Sequence, residues 1–331
     1  MTDLRIGVVG AGHFGRFHAL KLAQSSRARL SGLYDPDAER AKAVAWETGC
    51  SPMGLAELFA ASDAVVVAAP AEAHYELASQ ALAAGLHVLV EKPIAATLEQ
   101  ADRLGAEAAA RGLVLQVGHL ERFSAAYQAV KSRAQKPLYI EAVRIAPFKL
   151  RGTDVSVILD LMIHDLDLVL ALVDSPIESV DAVGAAVASA HDDIANARVR
   201  FENGAVATIT ASRISLKTER KMRIFAETGY LTVDFAARKL ALIGREGGIR
   251  LPQFSEGGAE GFGLENASWE DHDALLAEHQ AFIASILDGA PVLVDAQAGR
   301  RALQAALAVT QSIASSRKRA EASGLIAPVL Q

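Results

Sequence analysis

The sequence predicts an α/β protein with a doubly wound parallel sheet at its N-terminus and an α+β domain with a mainly antiparallel open sheet after it. Three observations predict this. An apolar strand at 4–9 runs straight into a turn with three glycines, short apolar strands alternate with alanine-rich helical stretches up to about residue 120, and hairpin signals replace the alternation beyond that point. Two domains follow, 1–120 and 121–331, since 331 residues exceed what one core usually serves.

The first strand leads into Gly10-Ala11-Gly12-His13-Phe14-Gly15, and a helical pattern begins at once through Phe17, Leu20 and Leu22. In this G-x-G-x-x-G spacing Gly10 permits the tight strand-to-helix turn, Gly12 admits a pyrophosphate close to the backbone, and Gly15 lets the helix pack against the strand. The anion would lie at the helix N-terminus, where unpaired N–H groups and the dipole favour it. A second strand, 30–34, ends at Asp35, a carboxylate suited to accept from both ribose hydroxyls and to repel a 2′-phosphate. With Pro36 behind it, Asp35 also reads as a plain cap of the next helix. Strands at 65–68, 88–90 and 113–117 are separated by helical stretches around 71–84 and 97–111, which makes a Rossmann sheet with helices on both faces. Ligands bind beyond the carboxyl ends of such strands. The 10–15 turn, Asp35, Ala69-Pro70, Glu91-Lys92-Pro93 and Gly118-His119 should therefore surround one site.

After residue 120, strands are expected at 138–145, 180–187, 197–201, 205–211, 222–226 and 231–235. Asn203-Gly204 is a two-residue hairpin signal, with both positions tolerant of positive φ. Helices at 156–173, 271–288 and 296–316 should cover one face of this sheet. The stretch 246–263 holds six glycines and reads as a mobile loop. No internal repeat or low-complexity segment stands out beyond the alanine bias.

Composition narrows the function classes. No run of about 18 apolar residues occurs, so no membrane span is expected. The start, Met1-Thr2-Asp3-Leu4-Arg5, enters the first strand immediately, which leaves no room for a signal peptide and points to the cytoplasm. Cys50 is the single cysteine, so neither an intrachain disulfide nor a cysteine-rich zinc site can form, and no metal is expected. A net charge of −6 without a long basic cluster argues against nucleic acid as partner; Arg317-Lys318-Arg319 reads as a solvated helix end.

Two segments carry candidate chemistry, and the meeting of the two domains is where it is expected. Lys92 ends an almost wholly apolar strand at the ligand edge of the sheet, in a turn stiffened by Pro93. The second segment is Asp160-Leu161-Met162-Ile163-His164-Asp165-Leu166-Asp167, in a helix apolar nearly all round and so buried. Ionisable groups there are costly unless paired or used. Asp160, His164 and Asp167 stand at i, i+4 and i+7 and are expected on one face. A plain structural reading, with Asp160 and His164 a buried pair and Lys92 bridged to Glu91, stands beside the chemical one.

The glycine turn, Glu91-Lys92-Pro93 and Asp160-x-x-x-His164 together resemble the glucose–fructose oxidoreductase and inositol dehydrogenase family (Gfo/Idh/MocA). The run from Ala81 through Gly85-Leu86-His87-Val88-Leu89-Val90 to Pro93 is highly typical of it, and the likeness spans the chain. The resemblance implies a dehydrogenase acting on a sugar or cyclitol carbinol with NAD, NADP less so. It implies catalytic roles for Lys92, Asp160 and His164. Cofactor contacts are implied for Gly10, Gly12, His13, Phe14, Gly15 and Asp35, and further for Ala69, Pro70, His74, Glu91, Lys92 and Gln116. The chemistry suits these types: oxidising a secondary alcohol needs a base near neutral pKa at the hydroxyl, a role for His164, and a donor such as Lys92 to stabilise the alkoxide. In some relatives the lysine carries the proton, so the order of hand-offs stays open.

Gly118-His119-Leu120-Glu121-Arg122-Phe123, together with the 159–168 helix, looks like the branch that oxidises UDP-N-acetylglucosamine at C3, whose keto product feeds an aminotransferase toward the 2,3-diamino sugar of lipid A. Substrate contacts would then come from Lys92, His119, Arg122, Lys149, Arg151, Asp160 and His164, the arginines matching a diphosphate. Arg122, Lys149 and Arg151 equally read as surface ion pairs. A dehydrogenase of free sugars or inositols, and a non-catalytic dinucleotide-sensing regulator, are the other readings. An exposed antiparallel sheet face suits a homodimer or homotetramer.

Overall fold

The computed structural model of the protein describes residues 4–149, 155–227, 229–244, 263–270 and 272–326. The chain divides into two compact units, Met1–Ser124 with Asp273–Leu303, and Ala125–His272 with Gln304–Gln331.

In the first unit β1 (Leu4–Val9), β2 (Ala28–Tyr34), β3 (Ala64–Val67), β4 (His87–Glu91) and β5 (Leu115–Gly118) pair in parallel in the order β2-β1-β3-β4-β5. All four residues of β3 are buried, as a strand covered on both faces requires. The helices are α1 (His13–Ala23), α2 (Ala38–Thr48), α3 (Leu55–Ala60), α4 (His74–Ala83) and α5 (Leu98–Arg111). Two of the helix starts have a plain local cause. Asp37 caps α2 by accepting from the N–H groups of Glu39 and Arg40, and Thr97 with Gln100 forms a capping box on α5.

The segment 273–303 departs from the expected division at residue 120. Within α8 (Ala274–Leu287), Phe282 and Ile283 belong to the core built by Leu4, Ile6, Leu22, Leu33 and Leu89 of the first unit. Each such side chain contributes about 1.5–3 kcal/mol on full burial, which holds the helix on the parallel sheet rather than on the antiparallel one. Periodicity announces an apolar helix face but not which sheet it will cover.

The second unit holds α6 (Ala125–Lys131), β6 (Pro137–Ile145), a π-helical turn Ile158–Met162 continuing into α7 (Ile163–Val173), then β7 (Ile177–Ala185), β8 (Ile194–Phe201), β9 (Val206–Ser212), β10 (Glu219–Ala226), β11 (Gly229–Asp234), β12 (Lys239–Gly244) and β13 (Gly263–Ser268). The sheet order is β13-β12-β11-β10-β6-β9-β8-β7, antiparallel except for the parallel pair β6 and β9. Strict alternation along β8 buries Ala195, Ala197, Val199 and Phe201 and exposes the residues between. The hairpin between β8 and β9 falls where Asn203-Gly204 marks it, but Gly204 alone takes positive φ, and its N–H closes the turn on Phe201 O at 2.9 Å. β12 and β13 extend the sheet beyond the strands expected from sequence. The glycine-rich stretch at 246–263 lies, save Gly263, outside the described residues. The helix α9 (Ala296–Ala322) gives its first turns, to Leu303, to the first unit and the rest to the second. Near its end Arg317 pairs with Asp192 at 2.5 Å, so the basic patch is partly spent inside the unit. No helix among the described residues is long and apolar enough to cross a membrane.

Candidate functional site

The glycine turn is built as a cradle. Gly10 sits at φ 99° with its N–H donating to Tyr34 O at 2.7 Å, and a Cβ there would meet Ala68 O at 2.6 Å. A Cβ on Gly15 would stand 1.8 Å from Gly10 O, so helix and turn touch only because that atom is absent. Over Gly12, by contrast, a Cβ would meet nothing within 4 Å. Gly12 is also the N-cap of α1, with no side-chain cap and no acidic residue in the first turn. Open space, uncapped N–H groups and the dipole fit a pyrophosphate, and hence a dinucleotide. His13 and Phe14 are exposed beside it, the His13 ring edge-on to Phe17 at 4.8 Å.

Asp35 is not the cap of α2; that place belongs to Asp37. Its Oδ2 accepts from Ala11 N at 2.7 Å and its Oδ1 from Asp37 N at 2.8 Å, with Arg40 Nη1 at 3.5 Å. The carboxylate thus braces the glycine turn from the end of β2.

Along the same sheet edge, Lys92 is half-buried in the turn after β4. His74, expected to touch the cofactor, instead spends both ring nitrogens on backbone carbonyls, Pro93 O at 2.7 Å and Ala69 O at 2.8 Å. Gln116, expected to do the same, is fully buried and donates to Glu278 O at 3.2 Å. Both side chains are buried and tied to backbone carbonyls by these contacts. His119 and Arg122 are buried in the first unit, Arg122 in the 3₁₀ turn Leu120–Phe123, so Arg122 is no surface ion pair.

Behind Lys92 lies a buried ionisable cluster that sequence reading missed. His18 Nε2 donates to Glu91 Oε1 at 2.9 Å, and His18 Nδ1 meets His279 Nε2 at 2.7 Å. Glu91 thus accepts from His18 through Oε1, and its Oε2 accepts from the Lys92 N–H at 3.3 Å. A Cβ on Gly118 would come within 3.0 Å of the Glu91 carboxylate, so β5 leaves room for it. Glu278 is fully buried, and its two carboxyl oxygens have no hydrogen-bond partner among the described residues. Burial, with the Glu91 charge adding to it, pushes the Glu278 carboxyl well above its usual range. Burial also works upward on Glu91, but the hydrogen bond from His18 and the charges of His18, Lys92 and His74 together hold it below the usual range. His279 is driven well below the usual imidazole value by burial, then by the charges of His18 and Lys21. One signal was available: Glu278-His279 interrupts an otherwise apolar helix, as the ionisable residues of 160–167 do.

The second unit supplies Asp160 and His164, both half-buried. The π-helical turn carries Asp160, and Ile163 N–H reaches back to Ile158 O, an i→i−5 bond. The 3.6-residue step that would align Asp160, His164 and Asp167 therefore does not run through the segment, and Asp167 is buried where the other two are not. Single π turns of this kind occur often at functional sites. Asp165 pairs with Arg144 of β6 through two hydrogen bonds, 2.8 and 3.0 Å, both side chains buried. Ahead of the turn, Arg213 donates to Val155 O at 2.7 Å and to Asp193, whose carboxylate also accepts from the N–H groups of Val187, Ala188 and Ser189. These two buried pairs anchor the segment at either end. Lys149 is exposed, and Arg151 lies outside the described residues.

Residues 4–119 match the oxidoreductase family with an NAD-binding Rossmann fold, and residues 143–232 match the GFO/IDH/MocA C-terminal domain. The chain belongs to the Gfo/Idh/MocA oxidoreductase family. It is 41% identical to the UDP-N-acetylglucosamine 3-dehydrogenase of Acidithiobacillus ferrooxidans over 95% of this chain and 98% of that protein. A solved structure of that enzyme superposes with a TM-score of 0.87 at 39% identity, covering 95% and 99% of the two chains. The myo-inositol 2-dehydrogenase of Thermotoga maritima is 28% identical over 94% of this chain and 96% of its own. The fold also matches scyllo-inositol dehydrogenase from Lactobacillus casei with bound NAD(H) and scyllo-inositol, at a TM-score of 0.78 and 22% identity over 95% and 98%. As a family member the protein is an oxidoreductase with an NAD-binding domain, and the expected family and fold class are borne out.

Proposed function

We propose that the protein oxidises UDP-N-acetylglucosamine at C3 with NAD, converting the CH–OH to a ketone while NAD⁺ becomes NADH and one proton is released. The observation that supports this is the chain-long 41% identity to an enzyme of that name, against 28% and 31% to two inositol dehydrogenases of similar coverage. Bound NAD supplies the hydride acceptor. His164 takes the hydroxyl proton, since an imidazole titrates near neutral pH. Lys92 donates to the same oxygen and stabilises its developing charge. Asp160, one turn before His164, orients the imidazole or holds a neighbouring sugar hydroxyl. Arg122, with His119, Lys149 and Arg151, serves the uridine diphosphate and the sugar.

Asp35 supports NAD over NADP, because its carboxylate closes β2 where a 2′-phosphate would bring like charge. The keto product is of the class an aminotransferase consumes, and the reaction proposed is a cytoplasmic one on the way to a diamino sugar of lipid A. A homodimer or homotetramer is supported by the outward sheet face, where the Phe225 ring lies 5.6 Å from Tyr139 and 4.8 Å from Tyr230.

Alcohol oxidation by NAD is unfavourable near neutral pH, so the test couples it. Protein, NAD and UDP-N-acetylglucosamine are incubated with a nucleotide-sugar aminotransferase and glutamate, and mass spectrometry looks for a UDP-sugar with a hydroxyl replaced by an amine. An empty coupled assay alongside turnover of inositol or a free hexose overturns the substrate and leaves the dehydrogenase. Failure on all of them favours a dinucleotide-sensing regulator.

A further inference from the structure

His74 opens α4 and is 1% exposed. Its two ring nitrogens face two carbonyl oxygens, Pro93 O at 2.7 Å and Ala69 O at 2.8 Å. A carbonyl oxygen accepts and never donates, so both hydrogens have to come from the ring. A neutral imidazole has one N–H and satisfies one of the two contacts. The other nitrogen would then aim a lone pair at a carbonyl in a buried place, leaving two polar groups desolvated and unsatisfied. The geometry is that of a ring donating from both sides.

The two carbonyls belong to different parts of the sheet edge. Ala69 lies in the loop after β3, and Pro93 follows Lys92 in the turn after β4, its neighbour in the sheet. We propose that His74 is a positioning residue for Lys92, joining the β4 turn to the β3 loop through two charge-assisted hydrogen bonds so that the lysine is presented from a turn held at both ends. This rests on the reading of Lys92 as catalytic. It assigns His74 no contact with the cofactor.

The test has two arms. Full-length protein carrying ¹⁵N-histidine is examined by NMR at neutral pH, with the His74 signals identified by proximity to Ala69 and Pro93. Both ring nitrogens are expected to carry hydrogens protected from solvent exchange; a single N–H tautomer overturns the clamp. In the second arm His74→Gln is compared with the unmodified enzyme. The expected outcome is a kcat lowered by up to about 10²-fold, the loss that roughly an ångström of misplacement brings, with NAD affinity by calorimetry unchanged. Lost NAD affinity with kcat retained would make His74 a cofactor ligand and overturn the proposal. The NMR arm uses unmodified protein, so it decides even when the variant does not fold. Full turnover in Lys92→Ala would instead defeat the catalytic reading of Lys92 and leave the NMR result on His74 intact.

Discussion

Lys92 and His164 carry the proposed chemistry with different duties, and each can be removed without touching the glycine cradle. Lys92→Ala and His164→Ala are expected to lose about 10²- to 10⁴-fold in turnover while calorimetry still finds NAD bound. Near wild-type turnover in either variant would remove that residue from the mechanism. Asp35 braces Ala11 and, on the proposed reading, also closes the ribose end. NADP should bind at least about tenfold more weakly than NAD, roughly 1.4 kcal/mol, and Asp35→Ser should narrow the gap, with Arg40 beside it to meet a 2′-phosphate. Tighter NADP binding to the unmodified protein would contradict this. Glu278 makes a prediction about pH. A carboxyl held above its unfolded value binds more protons in the fold than out of it, so its burial costs nothing below the ordinary carboxylate range and costs more as pH rises through the window above it. Glu278→Gln keeps the shape of the neutral acid and removes the titration. Thermal midpoints across a pH series should show the variant gaining on the parent as pH rises. Parallel curves, or a tightly held divalent cation found by elemental analysis, would mean that something other than a proton neutralises the cluster.

The elements were legible where a local rule governs them. The alternation along β8, the glycine turn after β1 and the capping box of α5 all follow from neighbours within a few residues. Gly15→Ala puts a methyl against Gly10 O, a backbone atom that cannot swing aside. Loss of NAD binding and about 1–3 kcal/mol of stability are expected, measured by calorimetry and urea unfolding; a variant that binds NAD normally would show the turn to be looser than its geometry. The helix of 156–173 was legible as a buried helix, but its π turn was not. No residue type demands an i→i−5 bond; the anchors at Arg213 and Arg144 decide the register from outside the segment. Arg144→Ala removes the guanidinium that pairs with buried Asp165, and breaking a buried pair in this way typically costs about 3–5 kcal/mol, to be read from urea unfolding. A cost near zero would mean that the pair does not hold the helix.

At the scale of the whole molecule, the return of α8 to the first unit is decisive. Phe282 and Ile283 complete a core begun by Leu4, Ile6 and Leu33 more than two hundred residues earlier. The isolated segment 1–124 should therefore unfold without a cooperative transition in calorimetry, because it lacks that cover; a sharp two-state transition from this segment would show α8 to be dispensable. By itself the sequence determined the parallel and antiparallel halves, the dinucleotide turn, the two motifs with Lys92, Asp160 and His164, and the family, because each is written in spacings of a few residues. The tertiary structure alone decided that Asp37 rather than Asp35 caps α2, that His74 and Gln116 are spent on backbone carbonyls, and that Glu278 and His279 come to lie against His18 and Glu91. The Gln116, Glu278 and His279 contacts join residues far apart in the chain, and their partners are chosen by packing of apolar faces, which local pattern leaves open.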